Sequence, residues 1–341
     1  MRFTYLRFTY LFDTFDYKPV NYFMKISVAF ILYNGSRYMR QQLDSILAQT
    51  HKVNEIIVCD DGSTDASKEI LEEYKNEHPN LFFIHYNNKN LGPTKNIEKA
   101  IQACTGDIIL LSDQDDYWET NKVKTIIQWF EQNPTMNGVF SNGALMSSNG
   151  ELDNNYCLWD AMSFPYKAIK NSNNLNNLKL YINTVENCVT GATLAFRNNI
   201  PFLKQPFPLI KHLVHDRWLA MNLAESNNLG ILEEKLIRYR LHSEQAIGGK
   251  TENIETFIGL NANLFLEELN IKSFKNLRYI LNKIEINLEI QNKISKLENR
   301  NFDNANYIAI LKNKHKIYLE FGFAKWPVLS GLRKIKKLFT A

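Results

Sequence analysis

Ile26-Ser27-Val28-Ala29-Phe30-Ile31-Leu32-Tyr33-Asn34-Gly35 is a β-rich apolar run that stops abruptly at polar residues, and the same design recurs downstream. Between Lys25 and about Asn142, short β-branched runs alternate with longer amphipathic ones, which is the pattern of a parallel sheet with crossover helices. Strands are predicted at Ile26–Leu32, Glu55–Cys59, Leu81–His85, Asp107–Leu111 and Gly138–Ser141. Helices are predicted at Arg37–Gln49, Ala66–Asn76, Pro93–Cys104 and Asn121–Asn133, with Leu43, Ile46 and Leu47 giving the first its buried stripe. Four βα units in succession set the class as α/β.

Outward from this block the signal weakens. Residues 150–190 are polar and Asn-rich with scattered aromatics, so a long loop or irregular insert over a binding face is expected there. A strand at Ala192–Phe196, a helix at Arg217–Ala224 and a strand at Leu236–Leu241 follow. From Thr251 the chain turns helical and rich in Lys, Glu and Asn, which predicts a separate helical appendage over 251–341. One α/β unit is expected over 24–250, dividing into 24–142 and 143–250. No internal repeat of repeat-protein length occurs. Residues 1–23 stand apart: Arg2-Phe3-Thr4-Tyr5-Leu6 repeats at once as Arg7-Phe8-Thr9-Tyr10-Leu11, and Met24 opens the strand pattern. They read either as an extension of the domain or as sequence ahead of a true start at Met24.

Composition is that of an ordinary globular protein, with 341 residues, 45% hydrophobic and a formal charge of +4. That charge is too small to indicate nucleic acid as a partner. It is uneven, however: residues 251–341 hold 15 Lys/Arg against 9 Asp/Glu, leaving 25 against 27 before them. Cys59, Cys104, Cys157 and Cys188 lie far apart with no metal-ligand spacing, so neither a zinc site nor a disulfide framework is expected. A transmembrane helix needs about 18 consecutive apolar residues, and no such run is found. A cytoplasmic location is expected.

In open parallel sheets ligands bind at the carboxyl ends of the strands. Those tips are polar here: Tyr33-Asn34-Gly35, Asp60-Asp61-Gly62-Ser63-Thr64-Asp65, and Ser112-Asp113-Gln114-Asp115-Asp116. Neither G-x-G-x-x-G nor G-x-x-x-x-G-K-[ST] follows the first strand, so both common glycine-rich phosphate loops are missing. Three carboxylates within four residues repel one another unless a cation sits among them. Mg²⁺ or Mn²⁺ would take one or two of them and fill its other positions with water and phosphate oxygens. The competing reading is an acidic turn that caps the next helix. Asp60 to Asp65 has a similar alternative, because Ser63 or Asp65 makes a good N-cap.

Taken in order, the first-strand run, Leu43-Asp44-Ser45-Ile46-Leu47-Ala48-Gln49-Thr50, Asp60 to Asp65, Asn90-Leu91-Gly92, Gly106-Asp107, Ser112 to Trp118, Val189-Thr190-Gly191-Ala192 and His215-Asp216-Arg217-Trp218 resemble the family 2 glycosyltransferases of bacterial polysaccharide synthesis. The resemblance covers residues 25–248. The D-Q-D-D-x-W form and Tyr239-Arg240-Leu241-His242 look like the branch of rhamnosyl and other sugar transferases of O-antigen and capsule assembly.

This resemblance implies a GT-A fold, a mixed and mostly parallel sheet flanked by helices, and transfer with inversion from a nucleotide-sugar donor to a glycan or lipid-linked glycan. It places Tyr33, Asn34, Asp61, Lys95 and Asp113 at the donor nucleotide, Asp113 and Asp115 on the metal, and Asp216 as the base. His242 is carried as a third metal ligand or phosphate contact. An inverting transfer does need a base on the acceptor side and charge stabilisation on the leaving diphosphate. Asp216 begins a helix, whose positive end favours its ionised form. A sugar nucleotidyltransferase would want a basic glycine-rich loop after the first strand, and a non-catalytic glycan binder would have lost the carboxylates. Residues 325–339 carry five cations, no acid and a Trp/Leu/Ile/Phe face, which reads as a peripheral membrane contact or as a helix packed on its own domain.

Overall fold

The computed structural model describes residues 23–170, 175–243, 254–297 and 302–326. The expectations for residues 1–22 and for 327–339 lie outside the described residues. Element order is β1 (Ile26–Leu32), α1 (Met39–Leu47), β2 (Glu55–Asp60), α2 (Ser67–Glu77), β3 (Phe82–Tyr86), α3 (Pro93–Ala103), β4 (Ile108–Ser112), β5 (Tyr117–Trp118) and α4 (Lys122–Gln132). Next come β6 (Gly138–Ser147), β7 (Leu152–Cys157), α5 (Leu158–Ala161), α6 (Tyr166–Lys170), α7 (Leu175–Thr184), β8 (Leu194–Arg197), α8 (His215–Glu225) and β9 (Leu229–Leu241). The described residues end in α9 (Ile254–Leu266), α10 (Phe274–Ile294) and α11 (Asn304–Lys325).

One mixed sheet runs β3-β2-β1-β4-β8-β6-β9-β5, with β7 paired to β6 off this path. Strands β3, β2, β1 and β4 are parallel; β8 is antiparallel to both β4 and β6, so β6 and its parallel partner β9 point the same way as β4. The tips of β1, β2, β4, β6 and β9 and the start of β8 therefore share one edge.

The period of two along each strand sorts the core into two layers. Ala29, Ile57, Cys59, Ile109 and Leu111 face one cluster with Ile97 and Ile101 of α3 and Trp218 and Leu219 of α8. Val28, Phe30, Ile56, Val58, Ile108 and Leu110 face the other, with Leu43 and Ile46 of α1, Leu71 of α2, and Ile126 and Phe130 of α4. Because both faces are covered, these strands read as continuous apolar runs. Leu260, Leu264, Ile280, Ile284 and Leu311 of the C-terminal helices belong to the first cluster, so the helical region extends that core.

The first four βα units fall within a residue or two of their predicted bounds. The long loop expected over 150–190 is a correction: it holds β7 and helices α5 to α7. Leu178, Tyr181, Ile182 and Val185 form a helical stripe that packs with Trp159 and Phe164. Asn176 and Asn177 on the other side had masked it in the composition. Strands β6 and β9 are also longer than expected and pair along nearly their whole length. β9 packs tightly on α4 at Gly230, where an added Cβ would stand 2.1 Å from Trp129 Cζ2. Gly230→Ala is expected to destabilise the protein by roughly 1–3 kcal/mol through this overpacking, visible as a lowered midpoint in chemical denaturation; an unchanged midpoint would contradict the packing.

Candidate functional site

The tips of β1 and β2 are stitched together before any ligand is considered. Asn34 takes a left-handed φ of 49°, a conformation that Asn tolerates better than most residues. Its N–H donates to Ser63 Oγ at 2.8 Å, and Thr64 N–H donates to Asn34 Oδ1 at 2.8 Å. Ser36 N–H donates to Asp65 Oδ2 at 3.0 Å, so Asp65 ties the two tips as well as bonding Ser67 N–H. The N-cap of α2 is Ala66, which bears no capping side chain. Asp61 is buried and accepts from Asn87 Nδ2, Leu91 N–H and Gly92 N–H at 2.8 to 2.9 Å, thereby fixing the 87–92 loop. Tyr33 is 49% exposed at the β1 tip.

The β4 tip meets the β1 tip directly. Tyr33 N–H donates to Gln114 Oε1 at 2.7 Å and Gln114 Nε2 donates back to Tyr33 O at 3.1 Å. The glutamine of the acid turn is thus its anchor, and the carboxylates on either side divide in role. Asp116 is fully buried; its Oδ1 accepts Arg240 N–H at 3.1 Å, while Oδ2 is buried with no hydrogen-bond partner among the described residues. Burial, reinforced by Asp115 and Asp113, pushes its carboxyl well above the usual range. Asp113 is pushed up to about 7 by burial, then by Asp115 and Asp216, against the opposing charge of Lys122. Asp115 Oδ2 lies 2.9 Å from His242 Nε2, and the His242 ring packs on Tyr38 with centroids 5.0 Å apart. The structure therefore joins His242 to the acid turn across 127 residues of sequence.

Arg240 braces this corner, donating from Nε to Asp115 O at 2.7 Å and from Nη2 to Gln41 Oε1. Lys122 is the residue that sequence reading missed. It is 1% exposed, donates to Ala192 O at 2.6 Å and sits 4.0 Å above the Trp118 ring. Burial drives its pKa down to about 7, with Asp116 and Asp113 acting the other way. Its only sequence signal is a cation at a position of α4 that the helical period assigns to the core. Lys95 joins none of these groups; its Nζ donates to Glu98 Oε2 at 2.6 Å and to Phe207 O at 2.8 Å.

On the acceptor side, α8 begins at His215 with Val214 as N-cap, so Asp216 lies in the first turn rather than at the cap. Its Oδ1 accepts Arg217 N–H at 2.5 Å and Asn187 Nδ2 at 3.0 Å. The expectation that the helix end keeps this carboxyl low is incomplete. Burial pushes it up to about 7, outweighing the Arg217 N–H, the Arg217 charge and the N–H of Gly191. His215 is driven down to about 4 by burial and is neutral. An open depression of about 1040 Å³ lined by Met24, Thr105, Gly106, Asp107, Arg197 and Lys204 lies at the opposite, amino edge of the sheet and contains none of these residues.

Among the described residues no group of three or more His, Cys, Asp or Glu side chains is gathered closely enough to hold a metal by itself. The Asp115–His242 pair is a partial ligand set. A hard divalent cation commonly binds in that way, drawing its other positions from phosphate oxygens and water. Asp115, His242 and the neighbouring Asp113 thus fit such an ion once a diphosphate completes the shell.

The model of the family "Glycosyl transferase family 2" matches residues 27–186. A chondroitin synthase of Escherichia coli is 25% identical over 228 residues, covering 62% of this chain and 33% of its own length. An uncharacterized glycosyltransferase of Haemophilus influenzae is 25% identical over 322 residues, covering 91% of this chain and 90% of its own. The chain thus spans about a third of the first relative and nine tenths of the second. Residues 1–349 of S. aureus TarS, solved in complex with UDP-GlcNAc, superpose with a TM-score of 0.50 at 19% identity, covering 88% of this chain and 73% of that one. The architecture is the GT-A fold with added C-terminal helices. The ordered strand-tip motifs and the match over residues 27–186 make that part of the chain similar to glycosyl transferase family 2.

Proposed function

We propose that this protein transfers one sugar, with inversion, from a UDP- or dTDP-sugar to a hydroxyl of a surface-glycan precursor such as O-antigen, capsule or lipopolysaccharide core. The observation that carries the reading is the placement at one sheet edge of the acid turn of β4 and of Asp216, which packs at Gly191 beside the Ala192 carbonyl that Lys122 Nζ reaches at 2.6 Å. Donor and acceptor chemistry then face each other across a sugar. The bound complex of TarS favours a uridine donor as the first one to try.

Tyr33 and Asn34 line the nucleotide side, with the loop fixed by Asp61 behind them. Asp113 serves the ribose or the metal, and Asp115 with His242 would hold Mg²⁺ or Mn²⁺. When bound, that ion supplies Lewis-acid stabilisation to the leaving diphosphate. Asp216 takes the proton of the acceptor hydroxyl as its oxygen bonds to the anomeric carbon. The bond from that carbon to the diphosphate oxygen breaks, and its electron pair leaves with the nucleoside diphosphate. A carboxylate with a pKa near 7 suits a base working at neutral pH.

Purified protein tested with Mn²⁺ against a panel of UDP-, dTDP- and GDP-sugars should bind one donor and slowly hydrolyse it. Failure to bind any of them would overturn the proposal. The pH profile is a second check. Asp216 works only when ionised and its pKa is raised to about 7, so turnover should be low near pH 5.5, half-maximal near about 7 and level by about 8. A rate independent of pH across that span would exclude Asp216 as the base.

No helix among the described residues is long and apolar enough to cross a membrane. We place residues 325–339 at the membrane surface, where a lipid-linked acceptor would be met. Removing residues 327–341 should shift the protein from the membrane to the soluble fraction of lysed cells, and an unchanged distribution would count against that contact.

A further inference from the structure

The C-terminal helices lie beyond the family match, which ends at residue 186, yet α10 turns polar side chains inward. Lys283, Asn287 and Gln291 are four residues apart and stand on one face of the helix. Asn287 and Gln291 are 2% and 0% exposed. A helix needed only for packing would place aliphatic residues there, as Ile280, Ile284 and Ile294 do elsewhere on α10, because a buried polar group destabilises unless partnered.

All three serve one segment, the chain leaving α7. Lys283 pairs with Glu186. Asn287 Nδ2 donates to Val185 O at 2.9 Å and Thr184 O at 3.4 Å. Gln291 Nε2 donates to Asn183 O at 3.0 Å and Asn183 Oδ1 at 3.2 Å. The remaining oxygen of Asn287 accepts from Arg217 Nη2 at 2.5 Å, and the same Nη2 donates to Ile182 O at 2.8 Å.

Two routes lead from this ladder to Asp216. Asn187 follows directly on the clamped segment and donates to Asp216 Oδ1. Arg217 is the adjacent residue; its guanidinium is the positive charge beside that carboxylate. Its Nε is buried with no hydrogen-bond partner among the described residues, so the bonds to Ile182 and Asn287 orient it.

We infer that α10 is a working part of the transfer site, with Asn287, supported by Lys283 and Gln291, as a positioning residue for Asp216 that acts through Arg217 and the 183–187 segment. This rests on the reading of Asp216 as the acceptor-side base. On the donor side Tyr33 bonds to Gln114 and Asp115 faces His242, away from the Asn287–Arg217 contact, so a fault in α10 should appear in turnover and leave donor affinity alone.

The test uses the full chain with Asn287→Leu, Asn287→Asp, Lys283→Met and, as reference, Asp216→Asn. Affinity for UDP with Mn²⁺ is measured together with kcat and donor KM for the nucleotide sugar that the panel identifies. A misplaced base should cost roughly ten- to a hundredfold in kcat for Asn287→Leu, with donor KM and UDP affinity within about twofold. Asn287→Asp, which keeps an acceptor for Arg217, should recover part of that loss. If Asn287→Leu does not fold, Lys283→Met decides, with a smaller fall in kcat at constant KM expected. Full turnover in Asp216→Asn would remove the base and the inference with it. Loss in Asp216→Asn beside wild-type kcat in the α10 variants, or parallel loss of kcat and UDP affinity in them, overturns the inference alone.

Discussion

Asp216→Asn is expected to leave UDP affinity within about twofold of wild type while cutting sugar transfer by roughly 10²–10⁴-fold, the range a general base contributes. The substitution is nearly isosteric. An amide oxygen in place of Oδ1 still accepts from Arg217 N–H and Asn187 Nδ2, which hold the side chain at 2.5 and 3.0 Å. What disappears is the capacity to take a proton. The part of the acid limb that comes from deprotonating the base should vanish with it, because the Asp216 carboxyl, raised to about 7 by burial, is gone. Transfer kinetics and calorimetry of UDP binding on the same preparation separate the two effects. Transfer at the wild-type rate would require another base.

Asp115→Ala should give the second largest loss, this time in binding. The turn itself should survive, because Arg240 Nε holds the backbone oxygen of Asp115 and Gln114 remains anchored on Tyr33. The carboxylate that faces His242 is removed, and with it half of the partial ligand set. Affinity for UDP in the presence of Mn²⁺ should fall about 10- to 100-fold, a loss of the size seen when support at a metal site is removed. Without Mn²⁺ the variant and wild type should bind UDP alike. Equal affinities in the presence of Mn²⁺ would rule out Asp115 as a ligand. Asp116 is not an equivalent target, since it is sealed under the turn and bonded to Arg240 N–H.

The acid turn and the strand tips were legible because both depend on local sequence. A parallel strand buried on two faces needs an unbroken apolar run, and the polar residues that end each run in this chain mark the ligand edge. The helical stripe of α7 was obscured because Asn-rich positions on its exposed side lower the mean polarity contrast over the whole segment. The Asn287–Arg217 contact could not be read at all, and Lys122 left only the weak signal of a cation at a core position of α4. A lysine in an amphipathic helix is ordinarily solvated, and only the packing of α4 against the Ala192 turn shows that this one is buried.

The sequence by itself determined the βα order, the carboxyl-edge placement of Tyr33, Asp61 and Asp113, and the residue types available for the chemistry, since each follows from short-range periodicity and turn composition. Only the tertiary structure decided how the carboxylates divide their roles. Asp116 becomes buried through pairing with β9, Asp115 faces His242 127 residues away, and Asp216 acquires its raised pKa from burial beneath elements distant in the chain. Burial and electrostatic coupling are set by neighbours in space, and sequence spacing carries no information about them until the sheet has brought the strand tips to one edge.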